Sequence, residues 1–303
     1  MNKIDLVIPF VNGGDDVWIK EFQKYNKHLT YDEIKIRYDE HDILKYVFRS
    51  IATYVPWINK IHLLLSGPSQ VPEWLNTDKV HIVYHKDFIP EKHLPVFNSS
   101  AIEMYLWNIP NLSDKFLYIN DDIIFNNFVD ELDYYSKDDK CRLCFNNTIY
   151  KNPKYLNAAY ATTFMNAAKL AAKGTEINPF FYEKLIQPDH LVHSYKKENV
   201  KHIYDLYKNE IESTITRFRE EKNCNQYLWL LYDLFHEKME IIPFKKGYFH
   251  LKKKSLDAIK NALNDVSFKE LCINDVDYTT TEDKLCLIDL LEIKFPSKCI
   301  YEK

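Results

Sequence analysis

The chain has 303 residues, 46% hydrophobic and 15% aromatic, with a net charge of −4. That composition can bury a large core, which excludes a disordered chain, and it lacks the basic excess of a nucleic-acid face, so no nucleic-acid partner is expected. Only 5 glycines occur, where an average usage of about 7% would give roughly 20. Gly13, Gly14, Gly67, Gly174 and Gly247 form neither a G-x-G-x-x-G nor a G-x-x-x-x-G-K-[ST] loop, so a phosphorylated ligand must be held by other chemistry.

Residues 4–11 read as a buried strand, interrupted or edge-like at Pro9, which cannot donate to a ladder. Asn12-Gly13-Gly14-Asp15 is a tight turn that ends it. Asp42 stands as the cap of the next helix, where Leu44, Val47, Phe48, Ile51 and Val55 recur at helical spacing until Pro56. Residues 61–65 and 80–84 are the second and third strands. Ser100-Ala101-Ile102-Glu103 fits a capping box that opens a helix to about residue 107. A fourth strand, 116–119, runs into Asn120-Asp121-Asp122 and the apolar Ile123-Ile124-Phe125. Such alternation of strand and helix implies the α/β class, with a mostly parallel sheet covered by helices.

Beyond a soft boundary near 140–160 the chain reads as more helical. Residues 164–173 form a helix stopped by Gly174. One apolar stripe (Val200, Ile203, Tyr207, Ile211, Ile215, Phe218) marks a long helix, and another helix spans 226–235. The expectation is one compact catalytic unit, with an α/β portion over 1–150 completed by a mainly helical portion over 151–303. No apolar run approaches 18 residues, so no transmembrane helix is expected. Met1-Asn2-Lys3-Ile4-Asp5 lacks a signal-peptide core, which points to the cytoplasm and leaves peripheral contact with the inner face of the membrane open. Among the six cysteines, Cys141 and Cys144 form a lone C-x-x-C without the second pair that zinc needs, so reduced structural thiols are expected.

Ligands of α/β sheets bind beyond the carboxyl ends of the strands, and two polar turns fall there. Asn12-Gly13-Gly14-Asp15 offers close backbone approach and hydrogen-bonding side chains, or is an ordinary turn. Asn120-Asp121-Asp122 sets two carboxylates side by side, a pairing that Mg²⁺ or Mn²⁺ would relieve and that otherwise belongs to a solvated acidic turn. His190 and His193 are candidates for a general base, although a lone histidine is more often structural. Arg217-Phe218-Arg219 ends the striped helix, and arginine matches phosphate oxygens bidentately. Arg37, Asp39 and Arg49 surround the first striped helix and reach a ligand or pair with each other. Glu103 reaches a ligand or closes the box with Ser100. Asn274-Asp275 is a further polar turn after apolar residues.

Together these motifs resemble the Stealth proteins, sugar-1-phosphate transferases of bacterial capsule and cell-surface polysaccharide synthesis that are related to the animal GlcNAc-1-phosphotransferase marking lysosomal enzymes. Four blocks carry the resemblance. The first runs from Ile4-Asp5-Leu6-Val7 to Asp15. The second, the most specific, runs from Arg37-Tyr38-Asp39 through Arg49-Ser50-Ile51, Pro72-Glu73-Trp74 and Leu94-Pro95-Val96-Phe97-Asn98-Ser99 to Asn120-Asp121-Asp122. The third spans His190 to Gln226, and the fourth is Cys272-Ile273-Asn274-Asp275 with Phe295-Pro296. The first block departs from the family's usual Y-T-W-V-[DN]-G, and the third has Val192 where a proline is usual; alignment backwards from Arg219 favours His190 over His193 as the base.

The resemblance implies a GT-A-like α/β nucleotide-sugar fold. It implies transfer of a hexose-1-phosphate from a nucleotide sugar, a UDP-sugar, to a sugar hydroxyl of a glycan or lipid-linked glycan, with release of UMP. The runner-up is a conventional metal-dependent glycosyltransferase, which releases UDP. Implied catalytic residues are His190, Asp122 and Arg219. Implied substrate contacts are Asp5, Asn12, Gly13, Gly14, Asp15, Arg37, Asn98, Ser99, Glu103 and Arg217. Asp121, Asp122, Asn274 and Asp275 would hold Mg²⁺ or Mn²⁺.

Overall fold

The computed structural model describes residues 3–38, 43–145, 149–150, 158–177, 185–186, 188–243, 246–275 and 279–303. Asp39 and Asp42, and with Asp42 the proposed helix cap, lie outside them. The described strands are β1 (Ile4–Pro9), β2 (Lys60–Leu65), β3 (His81–Tyr84), β4 (Lys115–Tyr118), β5 (Ile123–Phe125), β6 (Cys141–Phe145), β7 (Ile149–Tyr150), β8 (Leu185–Ile186), β9 (His193–Lys196), β10 (Met239–Pro243), β11 (Lys246–His250) and β12 (Glu270–Asn274).

A five-stranded sheet in the order β3-β2-β1-β4-β9 forms the centre. Its first four strands run parallel and β9 is antiparallel to β4. The expected α/β class with a mostly parallel sheet is therefore present. Ile4, Leu6, Val7 and Ile8 are all buried, as are Leu63, Leu64 and Leu65. A strand covered on both faces needs apolar residues at every position, which is why these runs do not alternate.

Pro9 does not make β1 an edge. Residues two apart in a strand point to the same neighbour, and Val7, which accepts from Ile119 N, faces β4. Pro9 faces the same side, two positions beyond the last β1–β4 pair, Val7 with Tyr118, so the ladder to β4 has already ended. Phe10 N then resumes the pairing to Leu64 O at 3.0 Å.

The second half carries strands that its pattern does not show. β9 completes the main sheet, and β12 lies between parallel β11 and antiparallel β5. The long striped helix is two, Lys197–Leu206 and Lys208–Thr214, broken at Tyr207. Its stripe continues across the break because Val200, Ile203, Tyr207 and Ile211 all enter one core. Ile215 and Phe218 belong to the loop beyond. Gly174 follows the helix Ala158–Ala171 with φ of 79°, a left-handed geometry that suits glycine. Cys141, Cys224, Cys272, Cys286 and Cys299 are free thiols, and the Cys144 side chain lies outside the described ones. Among the described residues, no helix is long and apolar enough to cross a membrane.

Candidate active site

Three strand junctions meet at one place. Asn120-Asp121-Asp122 leaves the carboxyl end of β4. Because β9 is antiparallel, with Tyr118 opposite His193, its entry brings Asp189 and His190 beside that end. On the other flank β12 runs antiparallel to β5, so its carboxyl end meets the start of β5, and Ile273 N donates to Asp122 O at 3.0 Å. Residues two apart in a strand share a face. Cys272 and Asn274 accordingly both reach the Asp122 side chain.

The Asp122 carboxylate is held on one oxygen and unoccupied on the other. Oδ2 accepts from Asn274 Nδ2 at 3.0 Å and from the Cys272 thiol at 3.3 Å. Oδ1 is buried and accepts no hydrogen bond from any described residue. An unpaired buried carboxylate oxygen is costly, and a cation is the usual remedy. His190 Nε2 stands 3.8 Å from Oδ2 and 2.9 Å from the Asn120 amide nitrogen, a contact whose direction depends on the ring's tautomer. His190 and Asp122 remain partly exposed, at 27% and 20%, so a ligand can reach them.

Asp122, His190 and Cys272 place ligand atoms within 4.8 Å of one another. A thiol must ionise to bind zinc. Burial, then the charge and hydrogen bond of Asp122, push the Cys272 thiol well above its ordinary range. Cys272 donates to the carboxylate and helps orient it, and Asp122 Oδ1 is the oxygen left without a hydrogen bond among the described residues. One carboxylate oxygen, with water and phosphate oxygens, fits a small hard cation such as Mg²⁺. Asp275 does not join the group: its Oδ2 pairs with the buried Lys284 ammonium at 2.6 Å. Of the two histidines, His193 is buried, with Nε2 against Asp189 O at 2.8 Å and Nδ1 against Gln226 Oε1 at 3.3 Å. Of the two, His190 is the one whose ring stays partly exposed at this edge.

Arg219 comes from the loop after Thr214. Its one hydrogen bond among the described residues goes from Nη2 to Ser99 Oγ at 2.8 Å. Two buried asparagines hold that loop. Asn98 Nδ2 donates to Thr216 O, Phe218 O and Asn223 Oδ1, and Asn223 Nδ2 donates to Thr214 O and Thr216 Oγ1. Asn98 is thus a structural clamp rather than a substrate contact, since it is 2% exposed with its amide spent. It also caps the helix Ser99–Glu103 by accepting from Ser100 N, which displaces the expected capping box.

Glu103 turns inward instead, accepting from Tyr118 OH at 3.2 Å and from Gln226 N at 3.0 Å. It is buried, so it contacts no substrate. Arg217 is likewise spent: Nε donates to Pro95 O at 2.9 Å, and the guanidinium lies 3.9 Å from the Tyr25 ring centroid. Asp5 sits at the far, amino end of β1, wholly buried, bound by Asn59 Nδ2, His62 Nε2 and Ser113 N. Its contact with substrate is excluded by burial. Arg49 also pairs internally, with Glu302 and Glu292. The Arg37 side chain lies outside the described ones.

The Asn12 turn shares the carboxyl edge with Asn120-Asp121-Asp122, because β1 and β4 are parallel neighbours. Its side chains already have partners: Asn12 Oδ1 accepts from Gly14 N, and Asp15 accepts from Val17 N, Ser69 Oγ and Gln70 Nε2. Gly13 is required by packing, since a Cβ there would lie 2.3 Å from Tyr38. Its backbone N–H groups are engaged as well, Asn12 N with Gln70 Oε1, Gly13 N with Tyr38 O and Asp15 N with Asn12 O, so the turn presents to a ligand the glycine carbonyls and the Asn12 amide nitrogen.

Burial pushes the Glu103 carboxyl up to about 7 from 4.5, against the opposing pull of the Gln226 amide, Arg219 and Tyr118. A folded-state carboxyl raised in this way keeps a proton that the unfolded chain releases, so stability falls as pH rises between those two values. The loss is about 3 kcal/mol. Urea unfolding at pH 5 and pH 8 is expected to show that loss in the wild type and not in Glu103→Gln; the same pH dependence in both would contradict it.

The fold and this edge define an α/β enzyme whose polar groups converge where strands β4, β9 and β12 meet. A family model described as Stealth protein CR2, conserved region 2, matches residues 37–143. The chain is 30% identical over 338 aligned positions to the capsular polysaccharide phosphotransferase WcwK of Streptococcus pneumoniae, spanning 100% of this chain and 99% of that one. It is 28% identical to the exopolysaccharide phosphotransferase cps2G of Lactiplantibacillus plantarum (99% and 96% covered). It is 30% identical to the capsular polysaccharide phosphotransferase fcs1 of Haemophilus influenzae (90% and 78%). The chain belongs to the Stealth family of polysaccharide phosphotransferases. The solved galactosyltransferase LgtC in complex with donor and acceptor sugar analogues superimposes with a TM-score of 0.43 at 12% identity over 96% of each chain, too loosely to carry an argument.

Proposed function

We propose that the enzyme transfers a hexose-1-phosphate from a UDP-sugar to a sugar hydroxyl of a capsule or cell-surface glycan. The observation that supports this most is the Asp122 carboxylate, oriented through Oδ2 with no hydrogen bond to Oδ1 among the described residues, beside Nε2 of an accessible His190. The acceptor hydroxyl replaces the Asn120 amide at Nε2 and gives its proton there. Its oxygen forms a bond to the phosphorus that carries the sugar, the phosphoanhydride P–O bond breaks, and UMP leaves with that electron pair. The sugar C1–O bond stays intact. Asp122, whose Oδ2 lies 3.8 Å from that nitrogen, steadies the imidazolium once formed.

Asp122, with Asp121 and the Asn274 carbonyl, would hold Mg²⁺ or Mn²⁺, which when bound neutralises charge on the diphosphate. Arg219, steadied by Ser99, faces the equatorial oxygens. The Asn12-Gly13-Gly14-Asp15 backbone lies along the nucleotide. The enzyme works at the cytoplasmic side, on a glycan or lipid-linked glycan. Incubation with a panel of UDP-sugars and a glycan acceptor is expected to release UMP with Mg²⁺ and to stop with EDTA. UDP as the nucleotide product would instead mean conventional glycosyl transfer.

A further inference from the structure

We propose that Gln70 is a positioning residue for donor binding, one that fixes the Asn12-Gly13-Gly14-Asp15 turn without touching the donor. This role rests on the reading above, in which the turn lies along the nucleotide. β2 ends at Leu65, and the chain leaves it through Ser66 and Gly67 into a short helical turn, Pro68–Gln70. β1 runs on past that point. Phe10 N still donates to Leu64 O at 3.0 Å. Asn12, two residues further, faces the same neighbour, but beyond the end of β2. There the side chain of Gln70 stands in for the missing peptide group. Its Oε1 accepts from Asn12 N at 2.7 Å, and its Nε2 donates to Asn12 O at 3.1 Å.

The same Nε2 also donates to Asp15 Oδ2 at 2.7 Å, where Ser69 Oγ donates at 2.6 Å. Asp15 in turn caps the helix Asp16–Tyr25. One amide, 1% exposed, therefore ties both ends of the turn to each other. Its orientation follows from its partners: the oxygen meets an N–H, and the nitrogen meets two acceptors. Gly13 and Gly14 lie between the tied ends. Glycine has the most conformational freedom to lose, so a Gly-Gly turn that must be ordered on binding weakens affinity. The nucleotide is held alike before and during the displacement. Loosening the turn should accordingly raise the donor KM rather than lower kcat.

The test is calorimetric titration of the full chain with UDP and Mg²⁺, beside steady-state kinetics and thermal unfolding. Gln70→Ala removes the amide and admits water. Gln70→Glu keeps the shape and the acceptor for Asn12 N, but sets an oxygen against Asn12 O and the Asp15 carboxylate. Each should weaken UDP binding and raise the donor KM roughly tenfold. At saturating donor, kcat should fall less than about threefold. Asp15→Asn turns an acceptor into a donor and remains a helix cap, so combined with Gln70→Glu it should recover much of the affinity. Unchanged UDP affinity in either folded single variant would overturn the positioning role, as would a loss confined to kcat. A wild type that does not bind UDP would overturn both this role and the transfer reading. A wild type that binds UDP in a Gln70-dependent way, but releases no UMP from any UDP-sugar, would sink the reaction and leave the positioning role standing.

Discussion

Replacing His190 by alanine is expected to lower kcat by about 10²–10⁴-fold, the usual range for losing a positioned general base. The protein should stay folded. His190 is partly exposed, and its one close hydrogen bond among the described residues is with Asn120, which water can satisfy once the ring is gone; the stability change should stay within about 1 kcal/mol. His193→Ala is the informative contrast. That ring is buried, with both nitrogens engaged, so its removal should show chiefly as lost stability, with much of the turnover of the remaining folded protein retained. Rate measurements paired with thermal unfolding separate the two. A fully active, folded His190→Ala protein would remove the base from the account.

The second large effect is expected at Arg219. Removing a group that stabilises transition-state charge typically costs about 10²–10³-fold in rate, and Arg219→Ala should fall in that range. Arg219→Lys should recover little, because an ammonium lacks the planar fork that matches phosphate oxygens. Arg217 supplies the internal control. Its guanidinium is spent on Pro95 O and the Tyr25 ring, so Arg217→Lys should leave kcat within a few-fold and act on stability instead. If Arg217→Lys lost as much kcat as Arg219→Lys at equal folding, the two roles would have to be exchanged.

Much of the central sheet was legible in the sequence. β1, β2, β3 and β4 were written in apolar runs bounded by turns, and a residue such as Gly174 marked a helix end that its φ bears out. The strands of the second half were less legible. β9 is His193–Lys196, whose residues carry no β-type pattern, and its place beside β4 is decided by long-range pairing. One stripe was read as one helix because the core it faces is continuous across Tyr207.

At the site, the carboxylate turn and His190 could be singled out, but not which polar side chains were already spent. Asn98, Glu103, Arg217 and Asp5 have the residue types of ligand contacts, and only their burial and partners show otherwise. Cys272 went the opposite way. Read as an inert thiol, it is a donor to Asp122, and its spacing of two from Asn274 in a strand was the available signal.

Where the phosphorus ends up separates hexose-1-phosphate transfer from glycosyl transfer. Phosphorus-31 NMR of the glycan product made from a UDP-sugar should show a phosphodiester signal retained on the glycan, with UMP as the released nucleotide. A glycan product without phosphorus, accompanied by UDP, would contradict the account.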